Sequence, residues 1–425
     1  MSNSTHRGKS TSTALSHSIE SPYAILADRN YVLYLIGRFI ASMGQQMLTV
    51  AVGWELYERT HSALALGLVG LTQMLPMFLF TLPAGHFADH HNRKRIMMWM
   101  TLVQAMASLG LLVVSASKAP TLCTYACLFI AASARTFLWP ASTSFLTQLV
   151  PRPLFPRAVA WSTGSFHLSA VAGPAAGGAI IAFTHHAMPV YGLNALAGLT
   201  CLMLLSLVHY QQAASSREPM TLNSLVAGFR FVFTTRIIVG TITLDLFAVL
   251  LGGATALLPV YAKDILHAGP SGLGILQGAL PLGSLLSALI LAHSAPMKHA
   301  GRALLWSVGV FGLATIGFGI SQWFWFSWAM LFLCGAADNV SVLVRHTLVQ
   351  LLTPDEKRGR VSAVNSLFIG TSNELGGFES GMVAHWFGPM FSVISGGIST
   401  LLVVTAVALI WPEIRRYGRL EEGGR

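Results

Sequence analysis

The sequence predicts an all-α integral membrane protein: twelve transmembrane helices in two pseudo-symmetric six-helix halves. Composition is the first reason. The chain of 425 residues is 53% hydrophobic and 10% charged, where soluble domains carry about 25% charged residues. A water-soluble fold has no interior large enough to hide that much apolar surface, so the chain needs lipid as its solvent. Segmentation is the second reason. Polar stretches divide the chain into twelve apolar runs, each near the ~20 residues a helix needs to cross ~30 Å of hydrocarbon. Repetition is the third. Pro151, Arg157, Ala160, Gly173 and Gly178 recur as Pro354, Arg360, Ala363, Gly376 and Gly381, all at an offset of 203.

In chain order, residues 1–28 are rich in Ser, Thr and His. They lack the apolar core of a signal peptide and are expected to form a disordered cytoplasmic tail. Arg7-Gly8-Lys9-Ser10 matches the end of a phosphate-binding loop, but the first Gly of that motif is missing and no strand or helix frames it. The first half, 29–210, holds spans 31–57, 62–84, 96–116, 120–149, 158–183 and 189–210. Residues 211–236 are polar, then amphipathic, with Leu225, Phe229, Phe231, Val232 and Phe233 interleaved with Arg230. That pattern predicts a cytoplasmic linker ending in a short interfacial helix. The second half, 237–411, holds spans 237–260, 270–293, 302–320, 324–350, 361–385 and 388–411, and 412–425 form a second cytoplasmic tail. Cys123, Cys127, Cys201 and Cys334 all fall in apolar runs, which fits small buried residues better than disulfides or metal ligands.

Charge placement tests this topology. With both termini inside, cytoplasmic segments hold 20 of the 26 Lys and Arg residues, and outside loops hold only Arg59, Lys118 and Lys263. Such a bias fixes orientation by the positive-inside rule. It also accounts for the net charge of +10 without nucleic acid. Trp323, Phe324, Trp325 and Trp328 gather at the outer end of span ten, where amphipathic rings favour the interface.

The short stretch from Gly85 to Arg95 lies between spans two and three and ends in Arg93-Lys94-Arg95. It reads as a loop at the cytoplasmic surface. Gly85-x-x-x-Asp89 followed by a basic cluster resembles the loop between the second and third helices of the major facilitator superfamily. That family usually has a second Gly where this chain has Asn92, and Asn also tolerates a left-handed backbone. Two parallel six-helix repeats are that family's plan. The resemblance implies that Asp89, with Arg93 and Arg95, works as a gate rather than a binding site; a plain surface loop is the alternative. Gly173-Pro174-Ala175-Ala176-Gly177-Gly178 resembles the fifth-helix motif of the family's exporters, thought to control movement between halves. Generic close packing of small residues would leave the same mark.

Ionisable residues inside lipid cost ~2.5–3.5 kcal/mol each and are functional suspects by default. Arg38 lies in span one, Arg135 in the middle of span four, Asp245 in the inner half of span seven, Asp338 in span ten, and Glu374 and Glu379 in span eleven. Asp338 is Arg135 displaced by the repeat offset. Glu374, Asp338 and Asp245 are the candidates for proton coupling, since desolvation favours a neutral carboxyl. Arg38, Arg135 and Glu379 are the candidates for contact with a substrate. Structural ion pairing, for instance of Arg135 with a carboxylate of the other half, is the competing reading. Glu55 is near an outer end and reads as snorkelling or facing water. His90-His91 and His185-His186 are adjacent pairs that cannot both face one point, so no metal site is expected. His167 and His346 fit either proton relay or hydrogen-bonded packing.

Arg358-Gly359-Arg360-Val361, Asn365-Ser366-Leu367-Phe368 and Ser372-Asn373-Glu374-Leu375-Gly376-Gly377-Phe378-Glu379-Ser380-Gly381 resemble the subfamily containing the enterobactin exporter and macrolide efflux proteins. The resemblance runs over about residues 28–412. It implies a monomeric transporter of the bacterial inner membrane, exporting a siderophore or another bulky, partly apolar molecule, with the proton gradient as its energy source and no cofactor. No Walker A or hydrolytic signature is present, which argues against ATP-driven transport and against a membrane-embedded enzyme. An importer of a small organic solute and a non-transporting sensor are the rival readings.

Overall fold

The computed structural model describes residues 23–210, 230–294, 297 and 299–418. Residues 1–22 and 211–229, which contain most of the expected N-tail and the first part of the linker, lie outside them. Twelve long helices follow in order among the described residues: α1 (Arg29–Thr60), α2 (Ala63–His90), α3 (Arg93–Ser117), α4 (Thr121–Leu149), α5 (Phe155–Thr184), α6 (Met188–Leu207), α7 (Arg236–Leu251), α8 (Gly269–Ala292), α9 (Ala300–Ile320), α10 (Phe324–Leu352), α11 (Asp355–Phe387) and α12 (Pro389–Ile410). Ten spans are long and apolar enough to cross a membrane by composition alone. The other two long helices are α1 and α11, which carry Gln45, Gln46 and Thr49 and Asn373 and Glu374 at a cavity between the halves. Outward-facing Leu122, Phe183, Trp306 and Leu409 are more than two-thirds exposed, as hydrocarbon contact requires.

Short connections make neighbouring helices antiparallel, which gives the bundle two faces. The terminal face carries the ends of α1 and α12 nearest the chain termini. The distal face carries the turns at His61, Lys118, His185 and His267, each held at positive φ between 46° and 58°. Side chains close these ends. Asp28 accepts from the Asn30 and Tyr31 amides at the start of α1 (2.8 and 3.3 Å), the N-cap arrangement that satisfies orphan donors. Lys94 Nζ donates to the Ser206 and Val208 carbonyls (2.9 and 2.7 Å), and Arg59 donates to the Ser115 carbonyl (3.0 Å).

Within the first half, α1 packs on α5 and α6, α3 on α4 and α6, and α2 on α4. In the second, α8 and α9 pack on α10, α9 on α12, and α7 on α11 and α12. The halves meet mainly along α2 against α11 and α5 against α8, contacts that exchange under the repeat. Residues 230–234 are helical, and Val232 is buried with Ile238, Ile242, Val349, Val361 and Val364.

The structure corrects the sequence reading at two places, the turn after α2 and the middle of span seven. The stretch from Gly85 to Arg95 is scarcely a loop: α2 continues to His90 and α3 begins at Arg93. Hydropathy sees where a helix leaves lipid, not where its backbone bonds stop. Asn92 makes no use of the left-handed backbone it tolerates. At φ −65° and ψ 112° it is the N-cap of α3, accepting from the Arg95 amide at 3.1 Å. Span seven, expected to be continuous to 260, breaks at Gly252-Gly253 and resumes as a 3-10 turn, a short α turn and a π turn ending at Ile265. A Cβ at Gly253 would overlap the Gly376 carbonyl, so α7 unwinds where α11 presses against it.

Candidate functional site

At its tightest points the seam between the halves is backbone on backbone. A Cβ at Gly274 of α8 would overlap the Pro174 carbonyl of α5, and one at Gly178 would stand 3.1 Å from the Gly274 Cα. On the other side, a Cβ at Gly70 of α2 would overlap the Glu374 carbonyl of α11, and one at Gly67 would lie 3.0 Å from the Gly381 Cα. These contacts lie on the distal side of the bundle's middle. The fifth-helix motif therefore has two duties. Pro174 and Gly178 face α8, whereas Gly173 and Gly177 face α1: their added Cβ atoms would stand 2.5 Å from Gln46 Cβ and 2.9 Å from Met47 Cα.

Beneath the seam lies a cavity of about 450 Å³ between the halves, within the ~300–1,000 Å³ range of small-molecule sites. Gln45, Gln46 and Thr49 of α1, Gln73 of α2, Gln277 of α8, and Asn373 and Glu374 of α11 supply its polar wall. Leu128, Pro174, Pro259 and Pro281 are among its apolar lining. Glu374 reaches across to Arg135 of α4, which donates to Oε1 at 3.1 Å. Their side chains are 22% and 46% exposed, so this ion pair crosses from one half to the other in open space. The sequence-predicted Arg135 and Glu374 thus come together. The glutamines were missed because only ionisable residues were treated as costly in lipid. An unpaired amide in hydrocarbon is also expensive, and four glutamines in otherwise apolar spans were the available signal.

A second charged group lies inside the second half. Asp245 of α7 is ion-paired with Arg345 of α10, and these side chains are 8% and 4% exposed. Asp338, two turns before Arg345 on the same helix, interacts electrostatically with both. Asp245, Asp338 and Ser341 line a separate cavity of about 10 Å³, space for one water at most. Asp338 does not face Arg135, although the two occupy equivalent positions in the repeat, and Asp245 is sealed rather than open as an entry point. Arg345 was visible in the sequence as a cation seven residues, hence two turns, from Asp338 on one helical face.

The remaining candidates are dispersed. Arg38 and Glu379 do not line the 450 Å³ cavity; Glu379 instead accepts from the Ser380 hydroxyl at 3.3 Å. Asp89 forms no ion pair with Arg93 or Arg95 among the described residues, and Arg93 is 3% exposed beside Tyr210. His167 and His346 stand apart from both cavities. Glu55 is bound to Arg59 at 2.5 Å. Among the described residues no group of three metal-ligating side chains converges. At the distal face, Tyr57 of α1 donates to Asp264 beyond the α7 break. Lys263 Nζ stands 5.8 Å from the Trp54 ring centroid. This inter-half latch had no signature in the sequence.

Solved structures share this architecture. A nucleoside transporter, NupG, superposes with a TM-score of 0.73 at 12% identity, covering 90% of this chain and 100% of its own. A bacterial homolog of the human lysosomal transporter Spinster, in an inward-facing and occupied conformation, gives 0.71 at 14%, covering 94% and 99%. At these identities the likeness concerns fold alone. Among sequence relatives, the enterobactin exporter EntS of Escherichia coli O1:K1 / APEC is 29% identical over 391 residues, 90% of this chain and 92% of its own. EntS of Shigella flexneri is 28% identical over 394 residues, again 90% and 92%. Residues 20–418 match the transmembrane secretion effector family. With a twelve-helix bundle, an internal repeat and a cavity on the pseudo-symmetric seam, the chain belongs to that family of major facilitator transporters.

Proposed function

We propose that the protein is a proton-coupled exporter that carries a drug-sized, partly apolar molecule, such as a siderophore, out of the cytoplasm by alternating access. The observation that carries this reading is the Arg135–Glu374 pair, which joins the halves beside the cavity. A proton on Glu374 removes the charge that holds Arg135 and leaves the halves free to part on that side; loss of the proton restores the link. Because the Glu374 carbonyl also sits against Gly70, the same residue touches both the charge and the seam. The relatives' names support export. The protein then works as a monomer in the bacterial inner membrane with both termini cytoplasmic, as the cation bias supports. On that orientation the distal end, closed by the glycine contacts and by Tyr57 with Asp264, is the outer one, and the cavity is loaded from inside. Gly173, Pro174, Gly177 and Gly178 are the rocking contact, and Gly85, Asp89, Arg93 and Arg95 belong to the gate at the cytoplasmic end. Asp338 and Asp245 stand next in line for the coupling role.

Glu374→Gln, which keeps shape and removes charge, tests this. Proteoliposomes with the variant should lose gradient-driven efflux and retain substrate exchange. Concentrative pumping with normal pH dependence would remove Glu374 from the role, and normal pumping by Asp338→Asn and Asp245→Asn as well would refute coupling through this set. Ser216→Cys in a cysteine-free background should react with impermeant thiol reagents only from the cytoplasm; labelling from outside reverses the orientation.

A further inference from the structure

The seam glycines and the cavity glutamines obey one repeat. Gly70 and Gln73 of α2 recur as Gly274 and Gln277 of α8, each 204 residues on. Each glycine lies against a backbone carbonyl of the opposite half, Glu374 for Gly70 and Pro174 for Gly274. Each glutamine sits three residues further along, just under one turn, and lines the cavity. The two glutamines therefore line the same space from opposite halves, at equivalent positions in the repeat. Gln45 and Gln46 add two more on α1. None of these four side chains hydrogen-bonds to protein among the described residues. Each primary amide offers two donors and one acceptor. All four are thus free for whatever fills the cavity.

Charge narrows the choice of occupant. Glu374 is the only Asp, Glu, Lys or Arg in the cavity wall among the described residues, and Arg135 already neutralises it. An ionic ligand would have to displace one partner of that pair or give up its hydration with no fixed counter-charge in the cavity wall. A neutral ligand with hydrogen-bonding groups on two sides meets neither penalty.

We propose that Gln73 and Gln277 form a two-sided amide clamp that selects an uncharged substrate bearing both hydrogen-bond donors and acceptors, such as an amide- or hydroxyl-rich molecule. This rests on the reading of the cavity as the transport site and names the class of molecule it takes. Because the clamp draws one arm from each half, a bound substrate ties the halves together, and its affinity depends on both arms.

The test uses the full-length protein in lipid nanodiscs without a gradient, and titration calorimetry with three matched probes. These are a triglycine peptide blocked at both ends, the same peptide with a free carboxylate, and the same peptide with a free amine. The blocked form should bind at least tenfold tighter than either charged form. Gln73→Leu and Gln277→Leu should each weaken it at least tenfold, whereas Gln73→Asn, a shorter amide, should recover part of the loss. Gln277→Glu should move the preference toward the free amine. Equal binding of the three forms, no binding of the blocked form, or wild-type affinity in correctly folded Leu variants would each overturn the clamp. Size-exclusion profiles establish folding. Normal selectivity in nanodiscs with no efflux in proteoliposomes would instead count against the exporter reading and leave the clamp standing.

Discussion

Two arginine–carboxylate pairs in this molecule have the same chemistry and opposite settings. Arg135–Glu374 joins the two halves, with side chains 46% and 22% exposed. Arg345–Asp245 lies within one half, at 4% and 8%. A hydrated pair is weak and exchangeable because water competes for both partners. A sealed pair is not strongly stabilising relative to an apolar core, but breaking it strands a charge. The first setting suits a joint that must open in every cycle, and the second suits one that must not. Asp338 complicates the sealed group, since two carboxylates share one guanidinium there.

Four substitutions break or sharpen this contrast. Arg345→Met should have the largest effect on stability, because it leaves the buried Asp245, and Asp338 beside it, without their cation. The cost expected from removing one partner of a buried pair is ~3–5 kcal/mol, visible as a collapsed melting temperature or loss of monodisperse protein; pairing it with Asp245→Asn should recover part of the loss. Gly274→Val comes next. Its added atoms overlap the Pro174 carbonyl, overpacking of this kind costs ~1–3 kcal/mol, and transport should fall because the distal side cannot close. Tyr57→Phe removes the hydroxyl that donates to Asp264, a bond to a charged group worth ~1.5–3 kcal/mol at most. It should speed labelling of Thr255→Cys from the distal face. Arg135→Met should be mildest, under ~1 kcal/mol in stability for so exposed a pair, yet it should stop efflux. If Arg135→Met unfolds the protein as Arg345→Met does, the two pairs are not different in kind.

The sequence placed most helix boundaries within three residues, because hydropathy and a ~20-residue minimum constrain them tightly. It missed the interruption at Gly252-Gly253, where apolar residues run on through an unwound backbone and only the neighbouring helix reveals the cause. At the site, pricing charges in lipid found Arg135, Glu374, Asp245 and Asp338. It could not distribute them between two groups, since which carboxylate meets which arginine depends on helix neighbours rather than on the repeat. The amides were legible only to a reading that priced neutral polar groups too. The Tyr57–Asp264 latch joins residues 207 apart with ordinary neighbours on both sides, and nothing local announces it.

The glycine seams also bear on speed. Where helices interlock through long side chains, parting them means repacking rotamers one after another, and each step adds friction. Here α2 meets α11 and α5 meets α8 through bare backbone at their tightest points. At those points the surfaces separate without interlocked side chains having to repack. The barrier to opening then falls on the few contacts that side chains make between the halves: Arg135 with Glu374 beside the cavity, and Tyr57 with Asp264 and Lys263 over Trp54 at the rim. A transporter built this way can be retuned from one end: altering a few rim residues changes its turnover while the helix contacts and the cavity stay as they are.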